Sequence, residues 1–354
     1  MREESKAFLW KLLETASPSG FEVEAAKVWQ AEAETFADEV QTDTNGNVFA
    51  RLKGDGPRVM IEGHIDEIGV MITHIDERGF LWFSAIGGWD DQVLVGQRIR
   101  LAGKQGPVIG VIGKKPIHQM DAADREKVSK IKTLWIDIGA ADAADAGAKV
   151  RVGDYGVIEQ PIVQLTPDLF AGRGLDERIG AWVALESLRY LAEGERPAAD
   201  VWAVAPVQEE IGLHGAQVSA FHLDPTVAIA IDVTHATDHP EADVRGVGSC
   251  KLGGGPMLGR GASISTRVHD LLVEAAEAEG IPYGVEATPR YTGTDADSMA
   301  YVRGGIPTGL VSIPNRYMHS PNETASLTDM DNCARLIAAF TRRLGPNPDL
   351  LRRR

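Results

Sequence analysis

Two cysteines in 354 residues are too few for a disulfide framework, and Cys250 and Cys333 lack the C-x-x-C spacing of a thiolate zinc site. Both read as structural, incidental thiols. Long hydrophobic runs are missing as well: no stretch approaches the roughly 20 apolar residues that cross a bilayer. The opening Met1-Arg2-Glu3-Glu4-Ser5 lacks the basic-then-apolar build of a signal peptide, so a cytoplasmic protein without a membrane partner is expected. Positive charge is scarce, with 36 Lys and Arg against 51 Asp and Glu, a formal net charge of −15. That balance repels phosphate backbones, and no basic stripe with interleaved aromatics offsets it, which argues against nucleic acid. The one basic cluster, Arg352-Arg353-Arg354, reads as a solvated end. Internal repeats and low-complexity segments are absent too.

What the chain does have is a hydrophobic content of 44%, enough at this length for a substantial core and two domains. It also has apolar segments that end in charge. V-W-A-V-A-P-V at 201–207 breaks into Q-E-E-I-G-L-H-G at 208–215, which sets Glu209 and Glu210 where a buried strand ends. P-R-V-M-I-E-G-H-I-D at 57–66 ends on His64 and Asp66, and T-V-A-I-A-I-D at 226–232 ends on Asp232. P-T-G-L-V-S-I-P at 307–314 leads to R-Y-M-H-S-P at 316–321, which contains His319. Parallel strands are apolar because both faces are covered, and open α/β sheets place their sites at the strands' carboxyl ends. Histidines and carboxylates converging on one rim point to a metal.

The segments fall into three textures. Residues 4–16 and 22–36 have helical spacing, separated by Ser17-Pro18-Ser19-Gly20, and Asn45-Gly46 signals a hairpin before a buried strand at 57–63. From 68 to 166, short glycine-punctuated strands such as 79–83, 98–101 and 108–112 suggest a small β-barrel. After 167, helices (176–192, 265–279, 295–303, 328–343) alternate with strands (201–207, 226–232, 283–288, 307–313). The expected fold is therefore α/β: a mixed sheet flanked by helices, formed by residues 1–67 and 167–354 as one discontinuous domain. An all-β insertion, 68–166, interrupts it.

Each candidate has a plainer reading beside the sharp one. His64 stands out because Gly63 permits a close turn and Asp66, two residues on, lies on the same side of an extended chain, where a carboxylate fixes an imidazole tautomer. The H-I-D at 74–76 leads instead into a hairpin turn, so His74 reads as structural. His235 and His239 have H-x-x-x-H spacing, but Thr234, Thr237 and Pro240 argue against the helix that would align them. Neighbours in a regular strand point to opposite faces, so Glu209 and Glu210 address one centre only if the chain leaves the strand, as Gly212 and Gly215 allow. One of the two then binds metal while the other is a general base; the plain alternative is a pair of solvated loop acids. Asp176 in G-L-D-E-R begins an apolar helix, so it is either a first-turn acid or a carboxylate bridging two cations.

Taken together, G-H-I-D-E-I-G at 63–69, G-L-D-E-R at 174–178, P-V-Q-E-E-I-G-L-H-G-A at 206–216, Asp232 with D-V-T-H-A, G-T-D-A-D at 293–297 and R-Y-M-H-S-P-N-E at 316–323 resemble the M42 metallo-aminopeptidases. The likeness spans nearly the whole chain, including the β insertion. It implies a two-metal aminopeptidase acting on peptides with a free N-terminus, with Asp176 bridging the metals. His64 and Asp232 would complete one site, Glu210 and His319 the other. Glu209 would be the general base and Asp66 the partner of His64. It further implies zinc or cobalt as the usual metals, manganese being compatible with the same ligands, and a homododecamer built from dimers around an interior chamber. The β insertion would take part in oligomerisation and substrate access. Ile65 stands where the family commonly has methionine and Glu177 where it often has aspartate; His214 and the 232–240 loop are also unusual. These departures leave the preferred N-terminal residue open.

Two other classes compete. A glycosidase of endo-1,4-glucanase type would use the Glu pair, but its carboxylates flank a sugar bond and need no histidine ligands. A non-catalytic metal-binding assembly protein would have lost its base, whereas Glu209 is present.

Overall fold

The computed structural model describes residues 1–351, apart from the side chains of 246 and 247; the arginine cluster at 352–354 lies outside the described residues. In chain order the strands are β1 Glu39–Thr42, β2 Val48–Leu52 and β3 Arg58–Glu62, then β4 Gly69–Ile75, β5 Leu81–Ile86, β6 Arg98–Leu101, β7 Val108–Gly113, β8 Trp135–Asp137 and β9 Tyr155–Ile158. β10 Val163–Gln164, β11 Leu169–Gly172, β12 Asp200–Ala205, β13 Val227–His235, β14 Met257–Gly261, β15 Gly284–Thr288, β16 Thr308–Asn315 and β17 Glu323–Ser326 follow.

Eight strands form one mixed sheet in the order β1-β2-β12-β3-β13-β16-β14-β15. Its centre, β12-β3-β13-β16, is parallel, while β2 and β14 run antiparallel to their inner neighbours. Side-chain alternation explains the two apolar layers around it. Val59 and Ile61, Val201 and Ala203, Ile229 and Ile231 face one core with Trp29, Trp182 and Phe340 from the helices Val23–Ala33, Leu175–Glu193 and Leu327–Arg343. Met60, Trp202, Val204, Ala228 and Ala230 face the other, against the helix His214–Leu223 and the short helix Asp295–Met299. The β1–β2 hairpin turns as its Asn45-Gly46 pair predicts, with Asp43 Oδ1 accepting from the amides of Asn45, Gly46 and Asn47.

After β3 the chain leaves the sheet, and β4 to β9 close a barrel in the order β4-β5-β8-β7-β6-β9. Val70, Ile72, Leu81, Phe83, Ile99, Leu101, Ile112 and Ile136 fill it. The chain returns through the ribbon β10-β11-β17. The mixed, helix-flanked sheet and the small barrel are thus as the sequence suggests.

Several local details differ. β13 does not stop at Asp232 but continues to His235, because it stays paired with β16 through His235↔Asn315. The predicted helix 295–303 ends at Met299, four residues early. β14 and the helix His214–Leu223 were not foreseen. The first is hidden by its glycines; the second buries mostly small residues, Gly215, Ala216, Ser219 and Ala220, with Leu223 its one large buried side chain, and so shows little apolar periodicity.

Candidate functional site

The four parallel central strands deliver the candidate residues at neighbouring carboxyl ends. β3 runs into His64 and Asp66, β12 into Glu209 and Glu210, β13 carries Asp232 three residues before its end, and β16 runs into His319. Asp176 comes from above, at the start of the helix Leu175–Glu193. There Asp176 (φ −70°, ψ 108°) and Glu177 (φ −121°, ψ 31°) are non-helical and the peptide between them is cis. Asp176 caps nothing: Gly174 occupies the N-cap, and the amide of Asp176 donates to Glu323 Oε2 at 2.9 Å. Gly63 serves this helix rather than a turn. A Cβ on Gly63 would lie 2.4 Å from the backbone carbon of Gly180, so glycine here lets the helix descend onto the strand end.

The result is two donor triplets with one common member. Ligand atoms of His64, Asp176 and Asp232 lie within 4.8 Å of one another, and so do those of Asp176, Glu210 and His319. His64 Nε2 is 3.5 Å from Asp176 Oδ1 and 3.6 Å from Glu209 Oε2. His319 Nε2 is 3.1 Å from Asp176 Oδ2 and 3.4 Å from Glu210 Oε2. The chain does leave the strand at the glutamate pair: Gln208 and Leu213 take positive φ, and the amides of Gly212 and Leu213 both donate to Glu209 O at 2.9 Å.

Asp66 lies under this turn, fully buried. Its Oδ1 accepts from the Glu209 amide at 3.1 Å and Oδ2 from the Glu210 amide at 3.2 Å, with Ser19 Oγ also donating to Oδ2. Its Oδ1 stands 3.3 Å from His64 Nδ1, so one carboxylate holds both the imidazole and the glutamate backbone. Glu323 has the matching task opposite, accepting from the amides of Asp176 and His319, the latter at 2.8 Å. Beneath the helix start, buried Glu67 pairs with Arg173 and Arg178. Sequence reasoning missed Ser19, Glu67 and Glu323 as site supports, although Glu67 and Glu323 stand inside the motifs quoted above.

The electrostatics fit a cation site. Burial, reinforced by Asp295, Glu210 and Asp176, pushes Glu209 up to about 9, against the pull of His64. Burial also pushes Glu210 up to about 7, and it raises Asp232, with Asp176 and Glu209 adding repulsion. His319, whose burial alone would favour the neutral ring, is held up at about 11 by Asp176 and Glu210. Burial would raise Asp176 too, yet the hydrogen bonds from His319 and His64 keep it low. Four carboxylates so close cannot all ionise without positive charge among them. Glu210 Oε1 is buried and without a hydrogen-bond partner among the described residues. Behind them burial also holds Glu62, Glu177 and Asp295 well above the usual carboxylate range. Imidazole nitrogen and carboxylate oxygen in this number are a donor set for divalent metal ions.

The other histidines stay apart. His74 is exposed on β4, just before the Asp76 turn, while His214 and His239 are exposed and belong to neither triplet. His235 lines a cavity of about 480 Å³ that opens beside the triplets. The barrel reaches the same place: Gly88, in the β5–β6 connection, lines the cavity, and a Cβ there would lie 3.3 Å from His319 Nδ1.

Comparison with known proteins accords with this geometry. The family model for M42 glutamyl aminopeptidase matches residues 46–336. A lysyl aminopeptidase of Pyrococcus furiosus is 38% identical over 339 residues, covering 95% of this chain and 96% of the relative. The crystal structure of a TET aminopeptidase from the marine sediment archaeon Thaumarchaeota archaeon SCGC AB-539-E09 superposes with a TM-score of 0.93 at 34% identity, covering 97% of both chains. The TET1 peptidase of Pyrococcus horikoshii, described as assembling into a tetrahedron or a large octahedral shell, superposes with a TM-score of 0.85 at 31% identity, covering 96% of this chain and all of that one. With sequence and fold matched over nearly its full length, barrel included, the chain belongs to the M42 family of peptidases.

Proposed function

We propose that the chain is an aminopeptidase with two divalent ions per subunit, releasing the N-terminal residue of short peptides that carry a free α-amine. The observation that carries this reading is the sharing of Asp176 between two donor triplets. Asp176 would be shared between the two ions, His64 and Asp232 would hold one with it, and Glu210 and His319 the other. Zinc or cobalt are the expected ions, and manganese suits the same donors. When bound, such a pair supplies Lewis acidity, polarising the scissile carbonyl and making water acidic enough to attack near neutral pH.

The chain's own groups do the rest. Glu209, which is not needed to complete either triplet, takes the proton of the attacking water and returns it to the leaving amine. Its high pKa falls once positive charge is held beside it, because an opposite charge favours the ionised form. Asp66 fixes the His64 ring and, through the two amides it accepts, the position of Glu209 itself. The free α-amine of the substrate falls among carboxylates, which accounts for exopeptidase action.

In the same reading, residues 1–67 and 167–354 act as the catalytic domain and the insertion 68–166 helps form a homo-oligomer and control access. Support comes from Gly88 beside His319 and from the assembly of the Pyrococcus horikoshii relative, so a dodecamer built from dimers is the expected state. No helix among the described residues is long and apolar enough to cross a membrane, and a cytoplasmic location is part of the proposal. A glycosidase would leave His64 and His319 without a role.

The test is release of N-terminal residues from a mixed peptide set, half of it N-acetylated, by metal-stripped protein before and after zinc or cobalt is restored. Metal-dependent cleavage of the free peptides alone is expected. Cleavage of cellulose derivatives that survives chelation, or no peptide cleavage with any metal, overturns the reading.

A further inference from the structure

The cavity beside the donor triplets contains one carboxylate that neither the metal ligands nor the base accounts for. Glu286, on β15, lines it together with Thr234, His235, Thr292, Gly293 and Met318. Two hydroxyls hold its carboxylate in place: Thr234 Oγ1 donates to Oε1 at 2.8 Å and Ser312 Oγ to Oε2 at 3.2 Å. Thr234 lies on β13 and Ser312 on β16, the strands that carry Asp232 and lead to His319, so the group is fixed to the same sheet as the reacting centre. Among the described residues no lysine or arginine lines the cavity. Two hydroxyls occupy only part of the roughly four lone-pair positions of a carboxylate, leaving room for further donors.

We propose that Glu286 is the specificity-determining residue of this pocket and that the preferred substrates carry a cationic N-terminal side chain, lysyl or arginyl. This rests on the aminopeptidase reading above and goes beyond it. Asp176, Glu210 and Asp232 are spent on cations and Glu209 on the proton, so Glu286 is the acid left for the substrate's side chain. The spacing fits. Thr234 is two residues past Asp232 on the same face of β13, about 7 Å further along the strand. That is a span for the unbranched four-carbon stem of lysine, which ends in three donors and no acceptor. A glutamyl side chain would instead set two carboxylates against each other, and a leucyl side chain would bury Glu286 without a counter-charge. The pocket therefore selects against acidic residues even though the family model bears a glutamyl name.

The experiment measures kcat/KM for Lys, Arg, norleucyl and Glu p-nitroanilides with metal-loaded wild type and with Glu286→Gln. Wild type is expected to rank Lys and Arg above norleucine and Glu last. In E286Q the Lys-to-norleucine ratio falls by about 10- to 100-fold, the worth of a charge-assisted hydrogen bond. A wild type that prefers norleucine or Glu, or an E286Q in which all four constants fall by the same factor, overturns the proposal. Calorimetry of L-lysine and L-norleucine on the same two proteins separates this from the activity itself. Should no substrate be turned over, the aminopeptidase reading fails; tighter binding of lysine than norleucine, lost in E286Q, still supports Glu286, and equal binding overturns it. If E286Q melts early, the wild-type ranking and the wild-type lysine-to-norleucine difference decide.

Discussion

Replacing Gly63 by alanine adds one methyl group at the point where the strand that carries His64 meets the helix that carries Asp176. The new Cβ would stand 2.4 Å from Gly180 C, 2.6 Å from Gly180 O and 2.7 Å from Ala181 N, all backbone atoms that no rotamer change can move aside. Ordinary van der Waals contact begins near 3.4 Å, so the strand end and the helix must part by about 1 Å. The helix is pinned on its buried side by Ile179 and Trp182, both fully buried, and overpacking of this kind costs about 1–3 kcal/mol. More important is the direction of the shift. Opening the gap between His64 and Asp176 by about 1 Å exceeds the ~0.2 Å tolerance of a metal site several-fold. Gly63→Ala is therefore expected to melt a few degrees early, to retain less than its full metal content after dialysis, and to lose about 100-fold in kcat/KM. Thermal melts, metal analysis and peptide kinetics on one preparation check this. Full metal content and wild-type kinetics with an unchanged melting temperature would refute the close-approach account of Gly63.

Glu209→Gln should lower kcat by about 100- to 10,000-fold while both metals stay bound, read by kinetics beside metal analysis; lost metal would make Glu209 a ligand instead. Asp66→Asn keeps the shape but turns an acceptor into a donor facing an amide, so metal affinity or activity should fall about 10- to 100-fold, measured by competition with a chelating dye. Glu67→Ala leaves buried Arg173 and Arg178 without their carboxylate and should cost about 3–5 kcal/mol in denaturant unfolding. The metal-free protein should lose stability as pH rises from about 5 to 9. Glu209 and Glu210, with folded pKa values pushed up to about 9 and about 7, bind protons there that the unfolded chain has released, and His319, held up at about 11, acts with the same sign. Melting temperatures with and without zinc across that range should diverge as pH increases; a constant difference would refute it.

Strands β3, β12, β13 and β16 were legible because each is a short apolar run closed by charge, a pattern that depends only on residues adjacent in sequence. The candidate ligands that the structure brings together at their ends were legible for the same reason. Which acids steady those ligands was not. Asp66 was read as a partner of His64, two residues away, but its bonds to the Glu209 and Glu210 amides and to Ser19 cross more than 40 positions and exist only once β3 and β12 lie side by side. Glu323 sits in a motif noticed for His319, yet its second bond, to the Asp176 amide, crosses 147 positions. Gly63 was seen as a turn residue because glycine's usual local signal is a turn; its real neighbour, Gly180, is more than 100 residues away.

These long-range supports explain why the acids are tolerated at all. Glu209, Glu210 and Asp232 all have their pKa raised, chiefly by burial, so without cations the cluster works against the fold. Three of the segments that carry candidate ligands are tied to buried carboxylates: the Glu209–Glu210 turn to Asp66, and Asp176 and His319 to Glu323. Positioning is thus separated from binding. Glu210 Oε1 is buried with no hydrogen-bond partner among the described residues, and the contacts the candidate ligands make with one another, such as His319 Nε2 to Asp176 Oδ2 at 3.1 Å, are ones a metal would replace, while the backbone beneath them is fixed. Fixed this way, the candidate ligands would be in place before a metal arrived, and its positive charge would offset both the burial and the mutual repulsion of their carboxylates.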